Sequence, residues 1–97
     1  MFGLGGVFVE VLEDVSFRVA PFDEKEASNM IDEIRGRAIL NGVRGSDPVD
    51  VKALAGMLSQ LSFFAVENSE NFSSVDVNPL IALPHGVKIA DALIITK

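Results

Sequence analysis

Asp76, Asn78 and Asp91 are the side chains whose types and spacing could hold a hard cation. They sit in two apolar, strand-like runs, Val75-Asp76-Val77-Asn78-Pro79-Leu80 and Ile89-Ala90-Asp91-Ala92. If these runs form a hairpin closed by a two-residue His85-Gly86 turn, Pro84 opposes Val87 and Leu80 opposes Asp91. All three oxygen-bearing side chains then point to the same side of the sheet. Asn78 and Asp91 become diagonal neighbours, about 7–8 Å apart at Cα. A three-residue turn would send the two to opposite faces, and Pro79 interrupts the ladder in any register. Mg²⁺ takes one or two carboxylates, keeps several waters and draws its remaining oxygens from substrate phosphates, which suits such a set. Asp and Asn are also common on solvated strand faces, so spacing alone leaves both readings open.

Other candidates carry less chemistry. Gly3-Leu4-Gly5-Gly6 precedes a strand-like run and not a helix, so it is no dinucleotide or P-loop fingerprint, although its backbone could approach a ligand closely. His85 is the sole histidine and falls in a turn between Pro84 and Gly86, where a solvated residue is the simpler reading. Arg44, in Gly42-Val43-Arg44-Gly45, could neutralise an anion or be a plain surface cation.

The elements that must position these residues follow from periodicity. Val7–Leu12 and Val15–Ala20 are rich in β-branched and aromatic residues and are separated by Glu13-Asp14, which predicts a hairpin. With Leu12 opposite Val15, one face carries Phe8, Glu10, Leu12, Val15, Phe17 and Val19, and Glu10 is its only charge. Asp23 followed by Glu26 has the form of a capping box, and Ala27, Met30, Ile31 and Ile34 follow at helical spacing. A helix is expected from Asp23 to Arg35, ending at Gly36, with residues 36–46 as loop. Asp47-Pro48 reads as an N-cap with proline at the first helical position. Val51, Leu54, Leu58, Leu61 and Ala65 then mark a second amphipathic helix to Val66. After a polar loop from Asn68 to Ser73, strands are expected over Val75–Leu83 and Val87–Ile95. The order is ββααββ: a single α+β domain with an antiparallel sheet of about four strands and two helices on one face.

Composition narrows the partners. Eight Lys and Arg against fourteen Asp and Glu give the chain of 97 residues a net charge of −6, which disfavours nucleic acid and anionic membrane surfaces. The absence of Cys removes disulfides, thiolate metal sites and Cys nucleophiles, and a reducing cytoplasm is the simplest setting. No apolar run approaches the roughly 18 residues of a membrane span, and the first residues have neither the basic region nor the cleavage site of a signal peptide.

At residues 2–21 (FGLGGVFVEVLEDVSFRVAP), 41–45 (NGVRG), 75–80 (VDVNPL) and 89–94 (IADALI), the chain resembles a known family. The likeness is to the C-terminal half of the ATP-grasp domain of NDP-forming acyl-CoA synthetases: ADP-forming acetate–CoA ligases and, more distantly, the succinyl-CoA synthetase β subunit. It runs from Phe2 to about Ile95. The resemblance implies that Asn78 and Asp91 ligate Mg²⁺, with Asp76 at the acidic position two before the Asn. On the cofactor side, facing ATP or ADP, it implies Glu10, Arg44 and Asp76. The family couples acyl-CoA formation to a nucleoside triphosphate through an acyl phosphate and a phosphohistidine, with nucleotide and metal held between two lobes. The resemblance therefore implies a partial domain, the metal-side lobe, inactive alone. Its partner would be a chain supplying the other lobe and the CoA-binding domains, or a second copy. Two positions depart from the pattern: Ser74 stands where an acidic residue is expected, and Leu93 where an Arg is expected beside the phosphates. The alternative is a non-catalytic interaction domain that keeps the fold and associates with a synthetase-like partner.

Overall fold

The computed structural model describes residues 1–42 and 45–97. Two helices build the centre. α2 (Glu24–Glu33) begins at Asp23, whose carboxylate accepts from the Glu26 amide at 2.8 Å. The capping box is only half made, because the Glu26 side chain turns to the Arg18 guanidinium instead. α4 (Val51–Glu67) crosses α2. Between them Ala27, Ile31, Ile34, Leu54 and Ala55 are buried with Leu40, and Phe2, Leu4, Phe22, Leu58, Leu80 and Val87 pack around this cluster. Polar contacts also fix the crossing. Ser59 Oγ donates to the Phe22 carbonyl at 2.8 Å, and Ser62 Oγ accepts from the Phe22 amide at 3.1 Å.

The expected first hairpin does not form. β1 (Phe2–Gly3) pairs antiparallel with β2 (Val15–Ser16), and Val7–Glu10 between them is a short helix, α1. Gly5 and Gly6 adopt positive φ, which an L side chain resists, and turn the chain so that the Phe8 and Val9 amides donate to the Gly5 and Gly6 carbonyls. Buried Asp14 and Ser16 then hold the returning chain against α2, so tertiary anchoring outweighs local β propensity. Phe17 and Val19, expected on a sheet face, are exposed.

Two further boundaries differ from expectation. Within the stretch read as loop, Arg37–Leu40 forms one helical turn, α3, which buries Leu40. The second long helix starts at Asp50 and not at Asp47, because the Asp50 carboxylate supplies the cap, accepting from the Ala53 amide at 3.0 Å.

The C-terminal part is one long hairpin. β3 (Phe72–Val77) pairs antiparallel with β6 (Ala92–Thr96), and β4 (Leu80–Ala82) with β5 (Val87–Ile89). β3 therefore starts inside the stretch expected to be loop. Among the described residues the molecule is α+β with antiparallel pairing throughout, as expected. Among these residues four helices accompany six strands, and the strands form three two-stranded ladders, not one continuous sheet of four.

Candidate functional site

The pairing of the long hairpin places the candidate cation ligands. Val77 opposes Ala92 and Leu80 opposes Ile89, so Asn78 stands opposite Asp91 and Pro79 opposite Ala90. Two backbone bonds carry the register across the proline. The Asn78 amide donates to the Asp91 carbonyl, and the Ala90 amide to the Pro79 carbonyl, both at 3.0 Å. Asn78 and Asp91 are thus direct cross-strand neighbours on one face, where Cβ atoms typically lie about 4.5–5.5 Å apart. The same-face expectation holds, whereas the diagonal arrangement does not. The turn is closed by the Leu83 amide donating to the Gly86 carbonyl at 3.1 Å, which centres it on Pro84-His85 and shifts the register by two residues. A shift of two preserves the faces; a shift of one would not have.

Asp76 pairs with Leu93 and shares the face of Asn78 by strand alternation. Both residues, with Glu10, line a cleft of about 280 Å³ between the glycine-rich N-terminal segment, α4 and β3. The rest of its described lining is apolar or glycine, with Leu54, Met57, Leu58 and Leu61 coming from α4. Glu10 therefore reaches the cleft from a helical turn and not from the sheet face predicted for it. Asp91 is not part of this lining; it is exposed, and its Oδ1 accepts from the Ala92 amide at 2.9 Å. Arg44 lies outside the described residues. His85 is exposed at the hairpin tip, remote in sequence register from the Asn78–Asp91 pair.

Two carboxylates and an amide in an otherwise apolar cleft disfavour a bare anion and favour a cation, or an anion that brings one. Among the described residues no group of three or more His, Cys, Asp or Glu is placed to hold a metal. The register brings one carboxylate and one amide to opposed positions, fewer protein oxygens than a cation enclosed by protein takes.

Two carboxylates not singled out by the sequence hold the walls of this region. Asp14 is only 6% exposed; its oxygens accept from the Arg35 and Gly36 amides at 2.6 and 2.7 Å. The Arg35 amide chiefly, then the Gly36 amide and the Arg35 guanidinium, hold its pKa below the usual carboxylate range against the opposing effect of burial. Asp50 caps α4 and also accepts from the Gly86 amide at 2.8 Å. The amides of Ala53 and Gly86 lower its pKa in the same way. The Asp50-x-x-Ala53 spacing before an apolar period was the available signal, obscured by the more conspicuous Asp47-Pro48.

Residues 1–96 match the family model described as ATP-grasp domain. The chain belongs to the ATP-grasp family. Its relatives include the β subunit of acetate–CoA ligase (ADP-forming) II of Pyrococcus furiosus, 42% identical over 99 aligned residues. That alignment spans 100% of this ATP-grasp chain and 42% of the relative. Among solved structures, the dinucleotide-forming acetyl-coenzyme A synthetase 1 of Ca. Korarchaeum cryptofilum, bound to coenzyme A, acetyl-coenzyme A and a phosphorylated phosphohistidine segment, superposes with a TM-score of 0.93 at 47% identity. The match covers 98% of this chain and 42% of that one. A second structure of that enzyme, with coenzyme A and Mg-AMPPCP, gives a TM-score of 0.91 at 48% identity over 98% of this chain and 44% of its own. The ATP-grasp chain thus spans less than half the length of these relatives.

Proposed function

We propose that this ATP-grasp segment supplies the metal-and-nucleotide side of phosphoryl transfer in an ADP-forming acid–thiol ligase, as the metal-side lobe of a larger assembly. The observation that carries the reading is the direct opposition of Asn78 and Asp91 beside an acidic cleft, in a chain 48% identical to one solved with Mg-AMPPCP. Asn78 and Asp91 would hold Mg²⁺, supplying one amide and one carboxylate. Asp76 and Glu10, which line the cleft, would orient the hydrated ion through its waters, and the family resemblance assigns Arg44 the role of neutralising phosphate charge. When bound, the metal offsets the negative charge that develops on the phosphate oxygens during transfer. Leu54, Met57, Leu58 and Leu61 form an apolar wall on one side of the cleft, so charged contacts made against it would be less screened than in open water.

A single lobe does not enclose a nucleotide, so the chain of 97 residues is expected to be inactive with ATP, Mg²⁺, CoA and acetate. Turnover that co-purifies with it through successive columns would refute its role as a part. The site itself is tested with Mn²⁺ as a paramagnetic probe on isotope-labelled protein, with and without a non-hydrolysable ATP analogue. Broadening centred on Asn78 and Asp91, and lost in Asp91→Asn, is the expected result. Broadening centred elsewhere overturns the ligand assignment.

One observation favours the second reading, a non-catalytic partner-binding domain. Leu93, where the resemblance expects an Arg, is 59% exposed opposite Asp76, so an apolar side chain stands where a phosphate-binding cation would serve. Restoring the cation by Leu93→Arg discriminates the two. Tighter binding of the metal–nucleotide pair with partner association unchanged supports a degenerate catalytic lobe; association lost with no gain in nucleotide binding supports an interaction surface.

A further inference from the structure

The hairpin that carries Asn78 and Asp91 could close through either of two turns. Closure through His85-Gly86 sets Leu80 opposite Asp91 and Asn78 opposite Leu93. Closure through Pro84-His85, the one adopted, sets Asn78 opposite Asp91. Both registers keep the same side chains on the same face, so burial alone discriminates poorly between them. The choice is made outside the hairpin. In an ordinary turn with these corners, the Leu83 carbonyl would accept from the Gly86 amide. Here neither group bonds to the other. The Leu83 carbonyl accepts from the Asp50 amide at 2.7 Å, and the Gly86 amide donates to Asp50 Oδ2 at 2.8 Å. One residue thus satisfies both corner groups from the start of α4, while its other oxygen caps the helix through the Ala53 amide at 3.0 Å. Gly86 can meet it because its φ of 83° turns the amide in a way an L side chain would resist.

We infer that Asp50 is a positioning residue that selects the hairpin register, and through it the pairing of Asn78 with Asp91. Asp50 touches neither member of the pair; it acts through the two corner groups of the turn. That the pair is a metal site rests on the reading proposed above, whereas the control of its register by Asp50 does not.

Asp50→Ser removes the side-chain half of the clamp and keeps the cap, since serine caps a helix well but is too short to reach the Gly86 amide; the backbone bond to the Leu83 carbonyl remains. In labelled full-length chain, wild type should show cross-strand contacts between Asn78 and Asp91 and protected Asn78 and Ala90 amides. In Asp50→Ser those contacts should weaken or give way to Asn78–Leu93 contacts, with protection of the two amides falling about tenfold or more. The Met30 and Ile31 amides in α2 should stay protected. Unchanged Asn78–Asp91 contacts in this variant would overturn the inference. Should Asp50→Ser fail to fold, Asp50→Asn offers one acceptor oxygen where two are needed, and wild-type pairing in that variant is equally fatal. Mn²⁺ broadening read on the same samples keeps the two proposals apart. A register that shifts while wild type shows no broadening at the pair upholds the role of Asp50 and removes the metal site. A register that does not shift removes the role of Asp50 and leaves the metal site standing.

Discussion

A carboxylate that accepts two backbone amides is held in its charged form, and Asp14 does so with almost no exposure. Its folded pKa lies below the unfolded value, so its contribution to stability is fully present above the ordinary Asp value and is lost as pH falls through the depressed one. Asp50, and Glu33 paired with Arg18, act in the same direction. Thermal unfolding midpoints should therefore drop as pH falls below about 4. Asp14→Asn should lower the midpoint at neutral pH and flatten this acid dependence, which a series of melts by circular dichroism at graded pH measures. At the apolar centre, Ile31 is 1% exposed between α2 and its neighbours. Ile31→Ala should cost about 2–5 kcal/mol in denaturant unfolding, enough to threaten the fold of so small a core.

Elements are joined here by small residues and single polar contacts. Asp23 caps α2, and Asp23→Ala should cost roughly 1 kcal/mol. Gly36, at the bend between α2 and α3, takes a side chain only if the end of Leu4 and the Asp14 carboxylate give way. An added Cβ would lie 2.7 Å from Leu4 Cδ1 and 3.2 Å from Asp14 Oδ2. Gly36→Ala should therefore destabilise by about 1–3 kcal/mol through overpacking, and it should also displace the N-terminal segment that forms one wall of the cleft. Chemical-shift changes reaching Gly3 and Glu10 would report the displacement; changes confined to the 36–40 turn would refute it. Arg18 ties the chain after β2 to α2 by a two-pronged contact with Glu33, at 2.7 Å for each prong, and a third bond to Glu26.

At the scale of the whole molecule, the tip half of the long hairpin is tied to the helical body through Leu80, Val87 and Asp50, while β6 stays exposed. The Cα radius of gyration is 13.4 Å, somewhat above the roughly 12.5 Å expected for a compact chain of this length. All five residues of β6 are exposed, among them Leu93 at 59% and Ile95 at 50%. Among the described residues β6 pairs only with β3, so its outer edge offers free amides and carbonyls beside apolar side chains. Such an edge is normally covered. The purified chain is expected to self-associate, or to bind a chain that completes the domain. Light scattering across a concentration series checks this, and a clean monomer at high concentration without a partner counts against it.

The two long helices were legible in the sequence because their determinants are local. The apolar period of Ala27, Met30, Ile31 and Ile34, the Asp23 cap and the 3-4 repeat of Val51 to Ala65 all act within a few turns. The antiparallel C-terminal hairpin and the shared face of Asp76, Asn78 and Asp91 were legible too, since strand alternation survives any even shift of register. The register itself was not, because it depends on Asp50, distant in sequence from the turn it clamps. Nor was the fate of Val7–Glu10, where β-branched residues promise a strand. Two glycines at positive φ and the burial of Asp14 against the end of α2 make a helical turn instead. Local composition sets which conformations a segment can adopt at low cost. Where two are close in energy, the polar groups that other segments bring into contact decide between them, and only the folded chain brings them there.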